Sequence, residues 1–248
     1  MAHEKALQRY GRQLIIEGFG EEGQAKLKAA RVVIAGAGGL GSVISIYLAV
    51  AGVGNIRIID HDTVELSNLN RQILYGDADI GKEKALVARE KLQALNPEIE
   101  VEAVGETITA DNAFELLGGF DAIVDAMDNF PTRYVLNKVA IGQRLPLFHG
   151  AVRSFEGRAT TIVPGVTPCL KCLYPRAPQP EATPVIGVAP AVIGSIQATE
   201  VIKYIVGIGQ LLVNRLLVYD GLNMEIMEVK LERHPDCEVC RHVAGSKR

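Results

Sequence analysis

The sequence predicts an α/β fold with a doubly wound, mainly parallel sheet that antiparallel strands extend. Three observations predict it. The apolar run Val32–Ile34 leads through a glycine-rich turn into a helical apolar pattern that ends near Ala51. Apolar strand-like runs then alternate with helical stretches as far as residue 151, as in a parallel sheet with crossover helices. The last two apolar runs follow each other without a helix between them, which is typical of an antiparallel pair.

The glycine-rich turn reads GAGGLG and joins the first strand to the first long helix. Gly36 permits the tight turn, Gly38 lets the backbone approach a phosphate, and Gly41 lets the helix lie close to the strand. The helix N-terminus supplies unpaired N–H groups for an anion. The next strand ends at Asp60, placed to accept hydrogen bonds from ribose hydroxyls. These features predict a Rossmann-like nucleotide site; a glycine turn that serves packing alone is the alternative.

The other elements follow from the apolar period and from glycine, proline and asparagine breaks. The sequence predicts helices at 4–19, 24–30, 81–95, 111–117, 131–143 and 191–206. It predicts strands at 55–59, 99–104, 120–126, 146–151, 157–163, 215–219 and 226–231. Asp111 is expected to cap its helix. The segment Tyr174–Pro190 carries five prolines, so a loop is expected there.

The chain of 248 residues is 48% hydrophobic, enough to bury the core of one large domain. We expect a single domain over residues 1–248. Its parts are an N-terminal helical arm (1–30), a nucleotide-binding part (31–152), and a part with the antiparallel extension, the crossover loop and a zinc site (153–248).

The charge and hydropathy exclude some classes of partner. The formal net charge is −3 and the isoelectric point is near 6.0, so there is no basic field and DNA is not an expected partner. The first twelve residues are charged and polar, and no apolar run approaches the roughly 20 residues of a membrane span. We therefore expect a cytoplasmic protein without a membrane partner.

Four cysteines form two CxxC pairs, Cys169/Cys172 and Cys237/Cys240. Four thiolates at this spacing are the tetrahedral ligand set of a structural Zn²⁺ site, which leaves no position for water. Disulfides or redox activity are the alternative. A zinc ion would tie the C-terminal tail to the body of the domain.

Polar residues follow the carboxyl ends of the predicted strands, where ligands bind in open α/β sheets. They are Asp60, Asn68, Arg71, Lys84 and Asp128. Cations and acids together suit a nucleoside triphosphate with Mg²⁺ better than a dinucleotide. Surface ion pairs are the alternative for the two cations.

Two of the five histidines lie next to or within predicted strands. His61 could touch a nucleotide, although a loop histidine without a role is the plainer interpretation. His149 lies in an apolar strand and is interpreted as a satisfied core residue.

Several linked motifs together resemble the MoeB/ThiF family, relatives of the ubiquitin-activating enzyme, from about Tyr10 to Cys240. Besides GAGGLG and the two CxxC pairs, they are Arg9-Tyr10-Gly11-Arg12-Gln13, Asp60-x-Asp62-x-Val64-x-x-Ser67-Asn68-Leu69-x-Arg71-Gln72, Gly81-x-x-Lys84 and Asp125-x-x-Asp128-Asn129. The resemblance implies an ATP-dependent adenylyltransferase. Its substrate would be the C-terminal glycine carboxylate of a small ubiquitin-like sulfur carrier of the MoaD or ThiS type, which ends in Gly-Gly and serves molybdenum-cofactor or thiamine biosynthesis.

The resemblance also implies residue roles. Arg71 and Lys84 would hold the triphosphate, Asp60 the ribose and Asp128 the Mg²⁺. Arg12 would reach the active site of the partner subunit in a homodimer. The nucleotide-binding set implied in this way is Gly36, Gly38, Gly39, Gly41, Asp60, Asp62, Asn68, Arg71, Gln72, Lys84, Asp128 and Asn129.

One position departs from the family pattern. Many members carry a cysteine in the loop before the long helix, but an alignment on Thr183 and Val188–Pro190 places Pro184 there. All four cysteines are then assigned to zinc. We therefore expect adenylation without a cysteinyl relay, followed by attack of an external sulfur donor on the acyl-adenylate.

Three other functions are compatible with parts of this pattern. An NAD(P)-dependent oxidoreductase could use the same glycine turn, but it would give Arg71, Lys84 and Asp128 no common task. A relative could adenylate another carboxylate, on a small molecule or on modified tRNA. A scaffold could bind a ubiquitin-like protein without turnover.

Overall fold

A computed structural model describes residues 2–177 and 184–243, with side chains from residue 8 onward. Within these residues one eight-stranded sheet has the order β3-β2-β1-β4-β5-β6-β7-β8. The strands are β1 Arg31–Ala35, β2 Asn55–Ile59, β3 Glu100–Val104, β4 Ala122–Asp125, β5 Leu147–Arg153, β6 Glu156–Ile162, β7 Arg215–Asp220 and β8 Glu225–Lys230. The helices are α1 Ala2–Leu14, α2 Gly20–Ala29, α3 Gly39–Ala51, α4 Lys84–Leu95, α5 Ala113–Leu117, α6 Phe130–Gln143, α7 Leu170–Leu173 and α8 Val188–Val206.

The sheet is parallel from β3 to β5 and antiparallel from β5 to β8. This confirms the predicted fold class. The chain winds from β1 outward to β3, then returns to place β4 on the other side of β1. The carboxyl ends of β1 and β4 therefore form the switch point, where a crevice for a ligand opens in folds of this kind.

Both faces of the central strands are covered, which explains why β1 is a continuous apolar run. Val32 and Ile34 face one hydrophobic cluster, which α3 and α8 share. Val33 and Ala35 face a second cluster, which α6 and the cysteine-bearing segments share. The strand therefore contributes to two separate core layers.

Some predicted helix bounds were wrong. The first helix ends at Leu14 rather than residue 19, and α2 begins at Gly20, four residues before its predicted start. Helix α4 begins at Lys84 rather than Gly81, because Gly81 has a left-handed φ of 86°.

Asp111 does not cap α5, contrary to the prediction. Asn112 occupies the N-cap position, and its side-chain oxygen accepts a hydrogen bond from the N–H of Thr109. The predicted loop after Tyr174 ends earlier than expected because α8 begins at Val188. Residues 178–183 of that loop, including Thr183, lie outside the described residues.

Candidate active site at the carboxyl edge of the sheet

The glycine turn between β1 and α3 requires glycine at two positions. Gly36 has a φ of 98°, and a Cβ there would lie 2.7 Å from the carbonyl oxygen of Ala126. A Cβ at Gly41 would lie 2.0 Å from the carbonyl oxygen of Gly36. At Gly38 the nearest atom would be Nε2 of Gln72, at an ordinary 3.6 Å. The turn is therefore tightly packed at Gly36 and Gly41, whereas the backbone at Gly38 has room beside it.

Asp60 links this turn to the next loop. It lies just beyond β2, and its Oδ2 accepts a hydrogen bond of 2.7 Å from the N–H of Ala37. Its Oδ1 accepts one of 2.9 Å from the N–H of Asp62. The carboxylate is half-buried and stands beside the glycine turn, as its predicted ribose role requires.

Lys84 is a cation in a position that an isolated helix would disfavour. It is the first residue of α4, where the helix dipole opposes positive charge, and its side chain is only 6% exposed. Its Nζ lies 2.9 Å from Oδ2 of the exposed Asp62. The hydroxyl of Tyr75 lies 3.0 Å from the carbonyl oxygen of Ala37 and 3.2 Å from that of Lys84, so it joins α4 to the glycine turn.

Tyr75 is a site residue that the sequence analysis missed. Burial raises the pKa of its phenol, so the hydroxyl stays protonated and can donate to these carbonyls. No local pattern marks it, because its partners are 38 and 9 residues away.

The segment 68–72 lies against the other side of the glycine turn. A Cβ at Gly39 would lie 3.5 Å from the carbonyl oxygen of Arg71. Gln72 is 4% exposed, and its Oε1 has no hydrogen-bond partner among the described residues. Asn68 is buried and its Oδ1 accepts from the N–H of Glu65. Unpaired buried polar atoms are uncommon, so Gln72 beside Gly38 suits a site that a polar ligand completes.

The Arg71 side chain is held within its own loop. Its Nη1 donates to the carbonyl oxygen of Ser67 at 2.9 Å and to Oδ1 of Asn70 at 3.1 Å. The remaining guanidinium N–H groups have no partner in the part of the chain that is described, so they are available to an anion.

Asp128 lies on a turn that also contacts the glycine turn. The would-be Cβ of Gly36 approaches both Ala126 and Sδ of Met127, the latter at 3.3 Å. Asp128 itself is exposed, and its Oδ1 accepts a hydrogen bond of 3.4 Å from Nδ2 of Asn129. Asn129 caps α6 by accepting from the N–H of Thr132. An exposed carboxylate beside the glycine turn has the chemistry of a Mg²⁺ ligand.

His149 is not a fully satisfied core residue, contrary to the sequence-based interpretation. It is completely buried, and its Nδ1 lies 2.6 Å from Oδ2 of the buried Asp125. Its Nε2 has no partner among the residues that the structure describes. Burial lowers the pKa of His149, although Asp125 opposes this, so the ring is neutral.

The four cysteines come together as predicted. Their sulfur atoms all lie within 4.8 Å of one another, in the buried space where α7 meets the C-terminal segment. Burial opposes ionisation of Cys237, but backbone N–H and thiol hydrogen bonds outweigh it and lower its pKa to about 7. A compact set of four sulfur ligands fits a structural Zn²⁺ ion.

The N-terminal arm presents Arg12 to solvent. Tyr10 anchors the arm, because it is buried and its hydroxyl accepts from Nδ2 of Asn96. Arg12 makes no hydrogen bond or ion pair with any other described residue. Two large apolar side chains next to it are exposed, Ile15 at 76% and Ile16 at 51%. No described helix is long and apolar enough to cross a membrane.

The chain matches the ThiF family over residues 10–239. It is 46% identical over 245 residues to a sulfur carrier protein adenylyltransferase from Thermus thermophilus, a match that covers 94% of this chain and 90% of that protein. It is also 46% identical over 240 residues to a SAMP-activating enzyme E1 from Haloferax volcanii, covering 94% and 88% of the two chains. A crystal structure of E. coli MccB with AMPCPP and MccA superposes with a TM-score of 0.85 at 27% identity, covering 94% of this chain and 73% of that one.

Proposed function

The chain belongs to the ThiF family, and from that premise we propose that it adenylates the C-terminal glycine carboxylate of a small ubiquitin-like sulfur-carrier protein, using ATP and Mg²⁺ and releasing pyrophosphate. One observation carries the proposal. The segments that bear Arg71, Lys84 and Asp128 all pack around one glycine turn, through Gly39, Tyr75 and Ala126. Two cations and a free acid around a phosphate cradle are the charges that a magnesium–triphosphate complex needs.

The family membership and the site chemistry argue against the oxidoreductase reading. A dinucleotide carries only a pyrophosphate, and hydride transfer gives Arg71, Lys84 and Asp128 no common task. The names of the two relatives at 46% identity favour a sulfur-carrier protein over a small-molecule carboxylate or tRNA as the substrate.

In the proposed reaction the carrier carboxylate attacks the α-phosphorus of ATP and pyrophosphate leaves. Arg71 and Lys84 bind the phosphate oxygens, on which negative charge increases, and Asp60 orients the ribose. Asp128 would hold Mg²⁺, which neutralises part of the triphosphate charge when it is bound. No general base is required, because a terminal carboxylate is already ionised at neutral pH.

We assign Arg12 to the active site of a partner subunit. The guanidinium near the end of α1 is exposed and has no partner among the described side chains, and together with the exposed Ile15 and Ile16 it supports this assignment. An exposed cation followed by two exposed apolar side chains suits contact with a second copy of the chain. The catalytic unit is then a homodimer in which each arm completes the site of the other subunit.

We further propose that the activated carboxylate is not passed to a cysteine of this enzyme. Cys169, Cys172, Cys237 and Cys240 form one cluster whose chemistry fits zinc. The position expected for a relay cysteine holds Pro184, whose carbonyl oxygen accepts from the N–H of Ser154. An external sulfur donor then attacks the acyl-adenylate. A thiol-sensitive covalent adduct between enzyme and carrier, trapped with ATP, would contradict this.

The main test is exchange of labelled pyrophosphate into ATP with candidate carriers that end in Gly-Gly. We expect exchange that depends on the carrier in wild type and is lost in Arg12→Ala and Asp128→Ala. Mixing these two inactive variants, under conditions of proven subunit exchange, should restore part of the activity. If Arg12 acts in trans, the mixed dimer contains one intact site, which combines Asp128 of the Arg12→Ala subunit with Arg12 of the Asp128→Ala subunit. An absence of recovery would remove that role of Arg12, whereas carrier-independent exchange would remove the proposed substrate.

A further inference from the structure

We propose that Asp125, Arg133 and His149 form a positioning cluster that fixes the turn bearing Asp128. The inference rests on the proposed function, in which Asp128 holds Mg²⁺. The three side chains do not touch the nucleotide in this proposal. They act on the turn 125–128 from β4, α6 and β5, three separate elements that converge at its base.

Asp125 is the centre of the cluster. It is the last residue of β4 and is completely buried. Its Oδ1 accepts from the N–H of Met127 at 3.1 Å, which closes the turn. Its Oδ2 lies 2.6 Å from Nδ1 of His149 and 3.6 Å from Nε of Arg133. One carboxylate therefore links the turn to two other side chains.

Arg133 holds the turn from α6. Its side chain is 6% exposed, and Nη2 donates to the carbonyl oxygens of Met127 at 2.5 Å and Gly150 at 3.0 Å. The guanidinium also supplies the positive charge beside the buried carboxylate. A buried ion pair gives little net stability, since desolvation offsets much of its attraction. Arg133 fixes the turn through its hydrogen bonds to the carbonyl oxygens of Met127 and Gly150 rather than through the ion pair.

His149 completes the carboxylate's partners. It lies opposite Asp125 in the register of β4 and β5. As a neutral ring it donates its Nδ1 hydrogen to Asp125, which leaves Nε2 as an acceptor. A donor at the Nδ1 position is the only feature of the ring that the turn uses. Gln197 of α8 also constrains the turn, because its Nε2 donates a hydrogen bond of 2.9 Å to the backbone carbonyl oxygen of Asp125.

These contacts immobilise every residue of the turn before Asp128. The N–H of Ala126 donates to the carbonyl oxygen of Ala35, and the same residue packs against Gly36. The turn and the phosphate-binding glycine turn are thus one packed unit. The exposed Asp128 side chain follows directly, and its Oδ1 accepts from Nδ2 of Asn129. If the base of the turn 125–128 were loosened, this carboxylate would move relative to the triphosphate. Substitution of residues that orient metal ligands typically lowers metal affinity about 10- to 100-fold.

The test measures metal affinity rather than turnover. Mn²⁺ replaces Mg²⁺ because free Mn²⁺ is counted directly by electron paramagnetic resonance, and the purified enzyme is saturated with AMPCPP. Asp128→Ala reports the loss of the acid itself. We expect Asp125→Asn and His149→Leu to weaken Mn²⁺ binding about 10- to 100-fold. His149→Asn should retain most of the affinity, because its amide nitrogen can take the place of Nδ1 as donor to Asp125.

Thr161→Val is the matched control for lost stability. Thr161 is buried and donates to Glu200, a hydrogen bond in which none of residues 125–128 takes part. This variant should melt at a lower temperature yet bind Mn²⁺ as wild type does. Equal Mn²⁺ affinity in folded His149→Leu and His149→Asn would overturn the positioning role, as would wild-type affinity in Asp125→Asn. Wild type that binds no Mn²⁺ with AMPCPP would instead remove the proposed function itself.

Discussion

Two alanine substitutions in the glycine turn should separate its packing role from its binding role. In Gly41→Ala the new Cβ would lie 2.0 Å from the carbonyl oxygen of Gly36. A Cβ is fixed to its backbone and the carbonyl oxygen is backbone, so α3 or the turn must move by about 1.5 Å to restore a normal contact. Overpacking of this kind costs about 1–3 kcal/mol. At about 2–4 °C per kcal/mol for a domain of this size, the upper end lowers Tm by about 6–12 °C.

Gly38→Ala should behave in the opposite way. Its Cβ meets Nε2 of Gln72 at an ordinary 3.6 Å, so the fold tolerates it. The same methyl group occupies the side of the turn that a phosphate must approach, and we expect ATP affinity to fall by at least about tenfold, or about 1.4 kcal/mol.

The assays are thermal unfolding of the free enzyme and nucleotide binding by calorimetry. Gly76→Ala is the control, because a Cβ there meets nothing within 4 Å and its φ of −137° suits alanine. It should match wild type in both assays. If Gly38→Ala binds ATP as wild type does while Gly41→Ala keeps its Tm, the glycine turn is not the phosphate cradle.

Three further results are expected. Lys84→Ala should lower carrier-dependent pyrophosphate exchange about 10²- to 10³-fold, as the loss of one charge-stabilising donor typically does. Lys82→Ala should lower it little, because the Lys82 side chain is 58% exposed. Equal losses in the two variants would contradict the role of Lys84. Wild type should carry one zinc ion per chain by elemental analysis. Cys237→Ser should lose the ion, and its Tm should fall by at least about 2–4 °C, the equivalent of about 1 kcal/mol. Wild type without zinc, together with a Cys237→Ser variant that melts as wild type does, would refute this. Burial depresses the pKa of His149 in the folded state, so the unfolded chain binds more protons below pH 6.5. The contribution of neutral His149 to the free energy of unfolding is therefore complete above that pH and decreases as the pH falls. Because His149→Asn lacks this titration, its Tm should drop less between pH 7 and 5 than the Tm of wild type.

The parts of the fold that the sequence predicted are those that local chemistry determines. The apolar run of β1 and the glycines that follow it each have one structural explanation, and the packing at Gly36 and Gly41 agrees with it. The edge position of Asp60 follows from the end of β2. The cysteine cluster was also predictable, although 65 residues separate Cys172 from Cys237, because metal chemistry constrains the spacing within each pair.

The error at His149 and the omission of Arg133 arose where distant segments decide the structure, whereas the error at Asp111 arose within one short segment. Asp111 and Asn112 are both residue types that favour the N-cap, and α5 begins after the second, whose side-chain oxygen accepts from the N–H of Thr109 rather than capping the helix. His149 was read as an ordinary core residue because its partner Asp125 is 24 residues away. Arg133 follows the helical pattern of α6, so nothing local distinguishes it from a surface arginine. His149 and Arg133 share one property, which is that they have partners on another element of the fold.

The pairing of Lys84 with Asp62 shows how the site can hold its charges before ATP arrives. An almost fully buried lysine without a counterion would be costly, because desolvation disfavours an isolated ammonium group. Asp62 supplies the counterion, yet its own side chain is 53% exposed, so water already solvates it well. A triphosphate can therefore displace Asp62 from Lys84 at little cost to the acid, and more negative charge then faces the ammonium group. By this reasoning Asp62→Asn should destabilise the free enzyme more than the ATP-bound enzyme, so that saturating ATP narrows the difference in Tm from wild type; a difference that ATP leaves unchanged would show that Asp62 stays on Lys84 throughout.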